Sequence, residues 1–126
     1  MALERFTYDT TDITGTWSFV NKSTYVGCDY PGYNKNQIDY GTMRITKQTA
    51  AHTYLLQTGS CDITFKASQA GAQVSGVGTF QCEDGTRGST VISKMTVNDQ
   101  AMRMNLVLTD APPLRCIQEA VLTGLK

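Results

Sequence analysis

The sequence predicts an all-β protein, an eight-stranded up-and-down antiparallel barrel, with a two-layer β-sandwich as the alternative architecture. Three observations carry this. Apolar and polar residues alternate with period two from end to end, with no helical spacing. Short connections containing Gly, Asp and Ser interrupt the alternation at hairpin intervals. The resulting apolar face runs unbroken across consecutive hairpins, so it must be hidden, and closing the sheet on itself hides it and removes both edge strands. A sandwich would bury the same residues, but it usually needs Greek-key crossovers.

The strands are expected at about residues 13–21, 40–47, 52–58, 61–69, 74–82, 87–98, 101–109 and 115–125. In the third, Gly59-Ser60 forms a two-residue turn into the fourth, which places Leu56 opposite Ile63 and Tyr54 opposite Phe65. In the fourth, Cys61, Ile63, Phe65 and Ala67 alternate with Asp62, Thr64, Lys66 and Ser68. A connection at 70–73 then sets Cys61 opposite Cys82, Ile63 opposite Phe80, Phe65 opposite Gly78 and Ala67 opposite Gly76. All four pairs share one face, and Phe65 has a glycine across from it. Asp84-Gly85 reads as a type I′ turn, which places Gly78 opposite Val91 and Phe80 opposite Ser89. A turn at Asp99-Gln100 places Val97 opposite Met102, Met95 opposite Met104 and Ser93 opposite Leu106. The prolines, Pro31, Pro112 and Pro113, fall outside every strand.

A chain of 126 residues suits a single barrel domain spanning 1–126. Eleven Lys and Arg balance eleven Asp and Glu, which argues against a nucleic-acid partner needing excess positive charge. No apolar run reaches the roughly 18 residues of a membrane helix. Cys28, Cys61, Cys82 and Cys116 include no CxxC pair and are accompanied by one histidine, His52, so two disulfides are expected rather than a metal site. The strand register pairs Cys61 with Cys82. Cys28 and Cys116 then fall at the same end of the barrel and pair with each other. Disulfides imply an extracytoplasmic, secreted or periplasmic location. Met1-Ala2-Leu3 lacks a signal-peptide pattern, so such a signal is expected to have been removed. Asn21-Lys22-Ser23 matches a glycosylation sequon.

The longest connection, 22–39, carries Tyr25, Tyr30 and Tyr33, with Cys28 as a tether. Tyrosine supplies contact area and a hydrogen bond at low entropy cost, so this loop is expected to act as a lid over the mouth. Gly15-Thr16-Trp17 lies on the first strand, with Trp17 expected to plug the opposite end. With the eight meandering strands and the long first loop, this layout resembles the calycin group, the lipocalins and their lipocalin-like relatives. That resemblance implies a cup with a ligand at its open end. More weakly, the chain resembles avidin-type barrels, whose ligand sites use several Trp where this chain has one. It also resembles bacterial metalloprotease-inhibitor barrels, with an early Gly-x-Trp followed by a cysteine.

The expected function is a non-catalytic binding module for a small apolar or amphipathic molecule. Its contacts are expected from Tyr25, Tyr30, Tyr33, Tyr54, Phe65, Phe80, Met43, Met95 and Met104, with no cofactor and no metal. One alternative is a protein-binding or inhibitory barrel acting through the mouth loops or residues 1–11. Another is a cyclase or isomerase acting by shape, with His52 and Tyr54 as its acid–base pair. No GxSxG elbow or phosphate-binding loop is present, and Asp62, Glu83 and Asp84 read as solvated.

Overall fold

The computed structural model describes residues 13–28, 35–70, 73–97, 100–111 and 116–126. Tyr30, Tyr33, the three prolines and residues 1–11 lie outside these. The strands are β1 (Gly15–Val26), β2 (Lys35–Lys47), β3 (Thr53–Gln57), β4 (Cys61–Ala70), β5 (Gln73–Cys82), β6 (Arg87–Val97), β7 (Ala101–Asp110) and β8 (Ile117–Leu125). Each pairs antiparallel with its neighbour in sequence, and β1 pairs with β8 to close the barrel. An up-and-down closed barrel of eight strands is the architecture expected, and it is consistent with a calycin-like barrel. Among the described residues there is no helix long and apolar enough to cross a membrane.

Most of the expected register is present. Cys61 faces Cys82, Ile63 faces Phe80, Phe65 faces Gly78 and Ala67 faces Gly76. Leu56 faces Ile63 and Tyr54 faces Phe65 across the Gly59-Ser60 turn, where Gly59 takes φ 95°. That positive φ at the first turn position suits the twist of the flanking strands and favours glycine. Gly78 has a second reason to lack a side chain: a Cβ there would run into the Thr64 carbonyl oxygen and lie 2.7 Å from Phe65 Cα. Backbones that approach this closely let the sheet coil tightly enough to close.

Three strands depart from expectation, in two places. β1 and β2 are longer than read, because Lys22 to Tyr25 pair with Ile38 to Lys35, so the first connection shrinks from 22–39 to 27–34. Tyr25 is therefore a strand residue. The second departure is in β6. Cys82 N–H donates to Thr86 O at 2.7 Å, Gly85 N–H donates to Cys82 O at 3.0 Å, and Gly85 takes φ 93°. This is a three-residue loop ending in a left-handed glycine, not a two-residue type I′ turn. Phe80 consequently faces Gly88, and Gly78 faces Thr90. Val91 points outward and is 49% exposed, while Ile92 takes the core position facing Leu106. A bulge between Ile92 and Lys94 absorbs Ser93 and restores Met95 opposite Met104 and Val97 opposite Met102.

At the end away from the mouth, Trp17 is fully buried and its indole N–H donates to Ile13 O at 3.0 Å. Lys126 Nζ lies 4.9 Å from the Trp17 ring centroid and donates to Thr14 O at 2.9 Å, so the last residue seals that end with a cation on an aromatic face. Both disulfides sit at the other end: Cys28–Cys116 joins the segments just after β1 and just before β8, and Cys61–Cys82 links β4 to β5. The bonding pattern is the one expected and is typical of extracytoplasmic proteins.

Candidate functional site

Inward side chains differ with depth. Trp17, Met43, Ile45, Leu56, Phe65, Ile92, Met95, Met102 and Met104 are 0–2% exposed and pack the half of the barrel away from the disulfides. Toward the mouth, Phe19, Ile63, Phe80, Leu106, Leu108 and Leu122 retain 4–9% exposure. These residues form the apolar floor of a cavity of about 600 Å³ within the mouth half. Eight-stranded barrels either fill with side chains or keep an interior cavity, and this one is filled in one half and hollow in the other. Above the floor the lining turns polar: Asn21 and Tyr25 from β1, Gln37 and Asp39 from β2, Gln118 from β8, and Glu83, Asp84 and Asp110 near the rim. Gln37 Nε2 donates to both Asp39 carboxylate oxygens at 2.9 Å, which orients that carboxylate on the inner face.

The carboxylates act on Tyr25 together. Burial raises the Tyr25 pKa above its ordinary value, and the negative charges of Asp39, Asp110 and Asp84 raise it further, so its hydroxyl stays protonated as a donor. Lys35 Nζ stands 5.7 Å from the centre of the Tyr25 ring. Asp84 behaves oppositely: the Thr86 N–H donates to its Oδ1 at 2.9 Å, and this hydrogen bond lowers its pKa.

Asp110 is buried at the mouth end of β7, and burial, followed by the nearby Asp84 charge, raises its pKa above the ordinary carboxylate value. The folded chain thus holds this proton more tightly than the unfolded chain. Its ionised form costs stability that is absent below the ordinary pKa and fully felt above the raised one. Asp110→Asn is therefore expected to melt at or above wild type near pH 7, with the difference vanishing as the pH falls through the carboxylate range. Thermal melts of both proteins from pH 3 to pH 7 measure this, and a variant whose relative stability falls as pH rises would contradict it.

Of the residues expected to hold a ligand, Tyr25 and Phe80 line the cavity. Tyr54, Phe65, Met43, Met95 and Met104 point inward as read but are part of the packed half, where the Tyr54 and Phe65 rings stack at 5.7 Å. Alternation reports which face a side chain takes, not how deep it lies, so one inward set was divided between core and cavity. Tyr30 and Tyr33 lie outside the described residues. His52 does not begin a strand on the inner face. It is exposed, in the 48–52 turn at the packed end, with φ 58°, whereas the Tyr54 ring is buried. Asn21, the first residue of the sequon, lines the cavity and its Oδ1 is buried, so its side chain faces inward in the folded barrel. Of the lining residues that sequence reasoning missed, Asp39 sits on a strand extension and Asp110 and Gln118 near strand ends, whereas Phe19 lies within the expected first strand.

No protein-family model matches the chain, and comparison with curated proteins and with solved structures finds no similar chain.

Proposed function

We propose that this protein is a non-catalytic binding module that holds a small apolar or amphipathic ligand in the mouth of a lipocalin-like barrel, outside the cytoplasm. The observation that carries this reading is the division of the interior. The far half is filled by side chains that are almost wholly buried, while the mouth half keeps a cavity of about 600 Å³ on an apolar floor. Ligand sites are commonly concavities of this size, mostly apolar with a few placed polar groups. The two disulfides at the rim hold the mouth open at low conformational cost and fit an oxidising compartment.

The test is a fluorescence titration with Nile red, a neutral apolar dye. Wild type is expected to bind it. Leu108→Trp, which fills the cavity from β7, is expected to weaken binding at least about tenfold while keeping a cooperative melt. Failure of the wild type to bind would remove the reading. A protein-binding role would then lead, and one surface feature favours it: Val20 and Tyr40 pair on the outer face of β1 and β2 beside Ile38, with Tyr40 81% and Ile38 63% exposed.

A further inference from the structure

We propose that the mouth cavity takes an organic cation with an apolar body, an ammonium or amidinium head against the β1–β2 wall and rim and a hydrocarbon or aromatic portion on the floor. This rests on the mouth being a ligand site and names the chemistry of its occupant.

Charge is the first observation. The chain as a whole is neutral, yet among the described residues the cavity is lined by Asp39, Glu83, Asp84 and Asp110 against a single cation, Lys35. Lys35 lies beside the Tyr25 ring, and that tyrosine still experiences a net negative surrounding from three of these carboxylates. A cavity with low-dielectric walls concentrates such a field and attracts a positive ligand.

The second observation is independent of charge. Asn21 Oδ1 and Ser23 Oγ are buried and have no hydrogen-bond partner among the described residues. Ser23 is 5% exposed and occupies the inward face of β1 between Asn21 and Tyr25, both of which line the cavity. Asn21 stands directly opposite Asp39 in the β1–β2 register, where Gln37 Nε2 already donates to the carboxylate and the Asn21 oxygen is left without a donor. Buried polar atoms left unpaired are costly, and the N–H groups of a cationic ligand in the cavity would satisfy the Asn21 oxygen. A carboxylate ligand would meet repulsion here, and a purely apolar one would leave the acceptors unpaired.

The third observation separates an organic cation from a metal ion. Among the described residues no three His, Cys, Asp or Glu side chains come together closely enough to hold a metal. The carboxylates are spread around the wall, which suits a head group carried on a body that itself needs a seat. Phe19, Phe80, Leu106, Leu108 and Leu122 supply that seat, and the aromatic faces add attraction for a cation.

The test compares three probes that share a chain and differ in the head: octylammonium, 1-octanol and octanoate, each measured by Nile red displacement and by calorimetry at pH 7 and low salt. Octylammonium is expected to bind about tenfold tighter than octanol, with octanoate weakest. In Asp39→Asn, and more fully in Asp39→Asn/Asp110→Asn, the preference should collapse toward unity through loss of octylammonium affinity, with a cooperative melt retained. The single variant serves where the double one folds poorly. Equal binding of octylammonium and octanol to wild type would overturn the cation proposal and leave the apolar site standing. A preference that survives the double substitution would also overturn it. Absence of both dye and probe binding would instead fail the mouth reading itself, and the proposal with it.

Discussion

Replacing Cys28 and Cys116 together with serine is expected to destabilise the barrel by about 4–5 kcal/mol, on the order of 15 °C in melting temperature for a domain of this size. The bond closes a loop with a sequence separation of 88, whereas Cys61–Cys82 closes one of 21, and the corresponding loss for that pair is about 3 kcal/mol. Position adds to length. The β1–β8 pairing is the seam that turns a meander into a barrel, and Cys28 and Cys116 flank its mouth end. At the other end the seam is held by Lys126, whose N–H donates to Gln100 O and whose Nζ donates to Thr14 O. Denaturant melts of the two double-serine variants measure the order, and amide exchange should quicken first at residues 23–26 and 117–120 in the Cys28/Cys116 variant. Equal losses for the two pairs would show that seam closure does not limit stability.

Phe65→Ala is expected to cost about 3–5 kcal/mol, and Lys66→Ala, one position along the same strand, about 0.5 kcal/mol or less. Phe65 is 1% exposed, stacks on Tyr54 and packs its ring against Gly76, whereas Lys66 points to solvent between Thr53 and Val77. No small shift closes the cavity that alanine would leave, because Phe65 already lies against the backbone at Gly78. Paired urea melts decide it, and similar losses would mean that the faces of β4 are not as described.

How much of this could be read in the sequence depended on the turns. The hairpin of β4 and β5 was legible because alternation in both strands and the position of two cysteines agree on one register. The hairpin of β5 and β6 was not. Asp-Gly serves both a two-residue turn and a three-residue loop, and adjacent Val91 and Ile92 satisfy an inward position equally well. The Ser93 bulge then hid the slip, because Met95 and Val97 regain the faces that a turn at Asp99-Gln100 predicts.

The candidate site was less legible than the fold. Tyr25 and Phe80 were found because aromatic residues near a mouth attract notice. Asp39, Asp110 and Asn21 were not, because each lies on a different strand and only barrel closure brings β7 and β2 to one cavity. The strand extension from Lys22 to Tyr25 hides Ser23 in a polar run that resembles a loop.

The most direct measurement of a hollow mouth above a packed core is methyl NMR of the native protein titrated with 1-octanol. The methyl groups of Ile63, Leu106, Leu108 and Leu122, which line the cavity, are expected to shift together along one saturating curve. Those of Ile45, Leu56 and Ile92, in the packed half, are expected to stay in place. Shifts confined to outward residues such as Val77 and Val91, or no saturable shift at all, would contradict a ligand cavity in the barrel mouth.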